Sequence, residues 1–157
     1  MPRELPVTEI MSKPVVSVSS DMTIEDAARV FIERDISGAP VVDADGKLLG
    51  LIEDDDLVIE DARVHFPTYI QIFGGAIPIP GSVRRFEDEI RASAGLTTVG
   101  EIMDDKPYMV DASATLEDVA TLIKDHHLSR VPVVDGDRVI GIVSRHDVVA
   151  ALARDSD

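Results

Sequence analysis

The stretch ISGAPVVDADGKLLGLIEDDDLV, residues 36–58, returns as LSRVPVVDGDRVIGIVSRHDVV at residues 128–149. Both runs contain Pro-Val-Val-Asp, a turn written with Gly, a second β-rich run and then a polar group that opens a new segment. Working outward, VTEIM at 7–11 matches VGEIM at 99–103, and TIEDAARVFI at 23–32 matches TLEDVATLIK at 115–124. Self-similarity at a nearly constant offset is the signature of a repeated supersecondary unit. The copies take residues 1–61 and 98–157, and residues 62–97 join them.

Each copy can be parsed from its pattern. Thr23 and Thr115 precede apolar periodic runs and have Asp26 and Asp118 three residues on, a capping-box variant that starts a helix. Ile24, Ala27, Ala28 and Phe31, and likewise Leu116, Val119, Ala120 and Ile123, then fall on one buried face. PVVD is followed by LLGLI or VIGIV after a short Gly-containing connection, which predicts a hairpin. PVVSV (14–18) and PYMV (107–110) predict a further strand in each copy, and a second helix starts from about Asp54 and about Arg145. The unit reads β-α-β-β-α, and the fold class is α+β. One unit exposes too much apolar surface alone, so the two are expected to pack face to face about a pseudo-two-fold axis, with a cleft at their interface.

The joining segment carries the apolar, turn-rich FPTYIQIFGGAIPIPG and the helix-like SVRRFEDEIRASAG, which ends with Gly at a stop position. A structureless loop of that length is unusual in a compact domain, so a partly helical insertion is expected there, covering an edge or contributing to a dimer contact.

Composition narrows the function. The 157 residues contain no cysteine, which removes disulfide scaffolds, zinc-thiolate sites and cysteine catalysis, and fits a reducing cytoplasm. No run approaches the ~20 apolar residues that span a bilayer, and the first residues lack the apolar core of a signal peptide, so no membrane partner is expected. A net charge of −15 opposes binding to a nucleic acid polymer, which needs a broad basic surface. A small anion needs only a local positive spot. Ser17, Ser19, Ser20, Ser144 and the four histidines make no nucleophile, base and orienter set, no phosphate loop is present, and neither catalysis nor a resident metal is expected. The chain reads as a module standing alone.

The copies differ where they close. Ser144-Arg145-His146-Asp147 stands where the other copy has Glu53-Asp54-Asp55-Asp56. Two readings of the second-copy close stay open: a helix start that caps itself through Ser144 and Asp147, or an anion site in which N–H groups and the helix dipole face a ligand. In the first copy a phosphate would meet the acids at close range. Two unit charges ~4 Å apart repel by about 4 kcal/mol at an effective dielectric of 20. Asp54 and Asp55 read more simply as an acid-rich helix start, and His126 with His127 as a solvated helix end.

In the order of these elements, occurring twice, the chain resembles a tandem pair of CBS domains, named after cystathionine β-synthase and called a Bateman module. The resemblance rests on Glu-Ile-Met followed by Pro14 or Pro107, on the Ser-x-x-Pro-Val-Val-Asp run, and on a close that places Asp56 or Asp147 before Leu or Val. It implies a non-catalytic regulatory module that holds an adenine nucleotide (AMP, ADP or ATP, alone or with magnesium) in the cleft between repeats. It implies ribose binding by Asp147 and Asp56, and phosphate binding by Ser144, Arg145, His146 and Arg130. Adenine binding falls to Ile36, Ser37, Gly38, Ala39 and Ile142, because the family's pockets are composite and Asp147 faces the opposite copy. In copy one Glu53 replaces the hydroxyl residue, so one phosphorylated ligand per chain is expected. The resemblance also implies a homodimer paired through the second helices, and an effector protein of unknown identity. The alternatives are a protein-interaction adaptor without ligand, or a sensor of S-adenosylmethionine or a divalent metal.

Overall fold

In the computed structural model, which describes residues 2–58 and 97–154, the two capped threonines do what their sequence says. Thr23 Oγ1 accepts the Asp26 N–H at 3.2 Å and starts α2 (Ile24–Arg34). Thr115 and Asp118 form the full reciprocal box and start α5 (Leu116–His126). Each such cap is worth ~1 kcal/mol. Both helices end in a left-handed residue other than Gly, Asp35 at φ 53° and His127 at φ 54°.

The remaining elements follow in the same order in each copy. The first has α1 (Val7–Ile10), β1 (Val18–Ser19), α2, β2 (Gly38–Val42), β3 (Leu48–Glu53) and α3, helical over 54–58 within the described residues. The second has α4 (Val99–Ile102), β4 (Val110–Asp111), α5, β5 (Arg130–Asp135), β6 (Arg138–Ser144) and α6 (Arg145–Arg154). The fold is α+β with two three-stranded sheets, β1-β2-β3 and β4-β5-β6, whose first pair is parallel and whose second is the expected hairpin. The hairpin turns use Gly46 (φ 83°) and Gly136 (φ 67°), positions where a side chain would be strained. The two turns also meet: Leu48 N–H donates to the Asp137 carbonyl at 2.9 Å, and Val139 N–H to that of Gly46 at 3.0 Å. The insertion expected at 62–97 lies outside the described residues apart from Thr97.

Two features depart from the sequence reading. The first strand of each copy is shorter than expected, because only Val18–Ser19 and Val110–Asp111 join a ladder. Pro14 cannot donate to a ladder, and residues 14–16 line a cavity instead. The second departure concerns packing across the axis. Val7 and Ile10 of α1 are buried with Leu116, Val119, Val131 and Val143 of the second copy. Val99 of α4, with Ile102 and Met103, packs with Val18, Phe31, Val41 and Ile52 of the first. The exchange is locked by backbone bonds, Val7 N–H to Ala114 O and Val99 N–H to Met22 O, both at 2.8 Å. Met11 lies over Gly141 and Met103 over Gly50, at points where a Cβ would collide with the thioether. The opening Glu-Ile-Met of each copy therefore completes the core of the other.

Candidate functional site

A cavity of about 360 Å³ lies between the copies, a size at the lower end for small-ligand pockets. Four groups of residues line it. Ser12, Pro14, Val15 and Val16 come from the segment between α1 and β1, and Asp35, Ile36, Ser37 and Gly38 from the turn that enters β2. Ile142, Ser144 and Asp147 come from the end of β6 and the start of α6, and Arg130 from the start of β5. The cavity is composite: Asp147 of the second copy shares it with Ile36, Ser37 and Gly38 of the first.

Ser144 and Asp147 hold each other. The Asp147 N–H donates to Ser144 Oγ at 3.1 Å, and the Ser144 N–H to Asp147 Oδ2 at 2.9 Å. This is the self-capping helix start left open above, and it fixes both side chains in the cavity wall. Asp147 Oδ1 has no hydrogen-bond partner among the described residues, and the Ser144 hydroxyl keeps a proton to donate. A carboxylate oxygen paired with a hydroxyl donor at a helix N-terminus can accept from a diol and donate to an anion.

Arg130 crosses to the first copy. Its Nε donates to Glu53 Oε1 at 2.9 Å and its Nη2 to Ser37 Oγ at 2.8 Å. Arg130 and Gly38 are equivalent positions of the two copies, and they touch: a Cβ on Gly38 would sit 2.6 Å from Arg130 Nε and Cζ. A residue near a two-fold axis meets its own counterpart there, and Gly at position 38 leaves the room that the Arg130 guanidinium occupies. Glu53 is therefore engaged by a cation, which alters the repulsion anticipated for the first copy's acids.

The other expected residues fall elsewhere. Arg145 does not line the cavity; its Nε donates to the Leu128 carbonyl at 2.9 Å and its Nη2 to Ser129 Oγ at 3.1 Å, bracing the turn before β5. His146 is exposed and does not line the cavity, and Ala39 is buried in the first core behind it. Asp56 occupies the position equivalent to Asp147 and accepts the Glu53 N–H at 2.8 Å. Burial pushes the Asp56 carboxyl above the usual aspartate range, the Glu53 N–H pulls against that, and Asp55, Asp104 and Asp54 push it further. His126 stacks on Tyr108, ring centroids 4.0 Å apart, and His127 caps α5. Among the described residues no cluster of His, Asp or Glu is placed to hold a metal.

Sequence reasoning did not assign Ser12, Pro14, Val15, Val16 or Asp35 to the site. The available signal was Pro14 itself, whose missing N–H argues against a paired strand.

Paired α+β repeats that share a composite cleft on their common axis form a recognisable class of module. The CBS domain family matches residues 7–63 and 99–154, and the chain belongs to that family. It is 33% identical over 153 residues to protein MJ1426 of Methanocaldococcus jannaschii, covering 93% of this chain and 90% of that one. The crystal structure of CBSX2 in complex with AMP superimposes with a TM-score of 0.74 at 25% identity, covering 98% of this chain and 99% of that one. The CBS domain pair of protein MJ0100 in complex with 5′-methylthioadenosine and S-adenosyl-L-methionine gives a TM-score of 0.70 at 25% identity, covering 97% and 98%.

Proposed function

We propose that this chain is a non-catalytic regulatory module that binds an adenine nucleotide in the cleft between its two repeats. The observation that carries the reading is the convergence of Asp147 and Ser144 from one copy with Ile36, Ser37 and Gly38 from the other in a single cavity. Asp147 Oδ1 accepts the ribose hydroxyls, and Val15, Val16, Ile36 and Ile142 give the base an apolar slot. Ser144 and Arg130 receive the first phosphate. The similarity to structures holding AMP, 5′-methylthioadenosine and S-adenosyl-L-methionine supports an adenosine ligand; Arg130 favours the phosphorylated ones. Copy one, with Glu53 in place of a hydroxyl, is left to a ligand without phosphate or with magnesium, so one phosphorylated nucleotide binds per chain.

In this reading residues 1–61 and 98–157 act as one module in the cytoplasm. Two chains pair through their second helices, where Val149 and Leu152 of α6 are 62% and 47% exposed, and occupancy is passed to an effector protein. Thermal denaturation with AMP, ADP, ATP, S-adenosylmethionine, adenosine and magnesium tests the ligand, since a ligand at 100 times its dissociation constant stabilises by about 2.7 kcal/mol. Asp147→Ala should weaken nucleotide binding by roughly 1.5–3 kcal/mol, the usual loss for a hydrogen bond to a charged group. No stabilisation by any of them supports an adaptor that works without a ligand.

A further inference from the structure

We propose that Glu53 sets how much negative charge the cleft accepts, acting through Arg130. The inference rests on the nucleotide reading above and deepens it. Among the described lining residues Arg130 is the one base, beside the acids Asp35 and Asp147. Its guanidinium is shared: Nε is bound to Glu53 at 2.9 Å and Nη2 to Ser37 at 2.8 Å, while Nη1 has no partner among the described residues. Glu53 does not line the cavity, yet its charge lies one hydrogen bond from it. The pair is largely withdrawn from water, with Arg130 13% and Glu53 29% exposed, so solvent screens it less than a surface pair.

An anion reaching Arg130 must displace Glu53 or sit beside it. Either course costs affinity that an uncharged ligand does not lose. Ser37 belongs to the same hydrogen-bonded set, and Gly38 leaves room for the guanidinium close to the backbone, so Arg130 is held in one place. Glu53 thus acts as a built-in competitor for phosphate and discriminates ligands by charge rather than by shape.

The test is calorimetric titration of AMP and adenosine into the wild-type chain, Glu53→Gln, Arg130→Gln and the double variant. Glu53→Gln keeps the size and an acceptor for Arg130 but removes the charge. It should tighten AMP about tenfold while adenosine changes less than twofold, the size of a single charge-assisted contact. Arg130→Gln should weaken AMP by a similar factor, and in its background the Glu53→Gln gain should disappear. If Glu53→Gln does not fold, Glu53→Ser, the residue of the other copy, should show the same selective gain. Equal changes for AMP and adenosine, or a gain that persists without Arg130, would overturn the inference while leaving the proposed function standing. Failure of the wild-type chain to bind either ligand would overturn both.

Discussion

Replacing Gly38 by Ala should destabilise the wild-type chain and stabilise a chain that lacks Arg130. A Cβ at position 38 would lie 2.6 Å from Arg130 Cζ and Nε and 2.7 Å from Nη1, closer than atoms can approach. The far end of a flexible side chain moves more readily than a strand, so the guanidinium shifts and gives up its bonds to Glu53 and Ser37. Those bonds are charge-assisted and mostly shielded, but Glu53 keeps 29% exposure, so we take the lower part of the usual range, a net loss of about 1–2 kcal/mol. With Arg130→Ala already made, the nearest obstacle is gone. The same substitution then relieves the cost of Gly in a strand interior, a gain of roughly 0.5–1 kcal/mol. Urea denaturation of the four chains, read as midpoint shifts at constant slope, measures the cycle. Destabilisation of the same size in both backgrounds would refute the reasoning, since the clash would then not be with Arg130.

Three further outcomes follow from the fold. His127→Gly should stabilise by about 1 kcal/mol, because His127 closes α5 at φ 54°, where Gly carries no Cβ penalty; a loss in the urea midpoint would mean that the His127 ring makes up the difference. Val99→Ala should cost roughly 2–3 kcal/mol and lower hydrogen-exchange protection around Phe31 and Ile52 more than around Val131 and Val143, since Val99 is buried in the first copy's core. Asp56→Asn should stabilise the protein near neutral pH. The folded-state pKa of Asp56 is raised, so its charge opposes folding above that pKa, and the gain should fade as pH falls through it towards the usual aspartate range. A gain independent of pH between 4 and 7 would assign it to something other than the charge.

What could be read from sequence was what lies within a few residues along the chain. Thr23 with Asp26, Thr115 with Asp118, the hairpins at Gly46 and Gly136, and the self-capping Ser144 and Asp147 are all local signals, and each appears where the pattern put it. The pairing of Asp147 with the turn before β2 was legible only through the resemblance to a family, because nothing local to either segment names the other. The bond of Arg130 to Glu53 joins residues 77 apart and depends on a two-fold axis that a sequence does not display. The placement of Arg145 was hidden for a related reason: charge and position suited an anion, but the Leu128 carbonyl and the Ser129 hydroxyl lie within reach and accept from the guanidinium. Val7 and Val99 gave the least warning. The apolar residues of a four-residue helix say that one side of it will be buried, and not by which core.

The exchange of α1 and α4 makes the order of synthesis matter. As the chain leaves the ribosome, residues 2–58 are made first, yet their core still lacks Val99, Ile102 and Met103, while α1 waits for partners that begin at Val110. Contacts this distant in sequence close long loops and slow folding, and an unfinished core leaves apolar strand surface open meanwhile. The first copy therefore cannot mature as an autonomous early domain, and final closure of both halves waits until the second copy has emerged. Fragments severed between the copies should each be incomplete and should regain structure on mixing, each supplying the short helix that the other lacks.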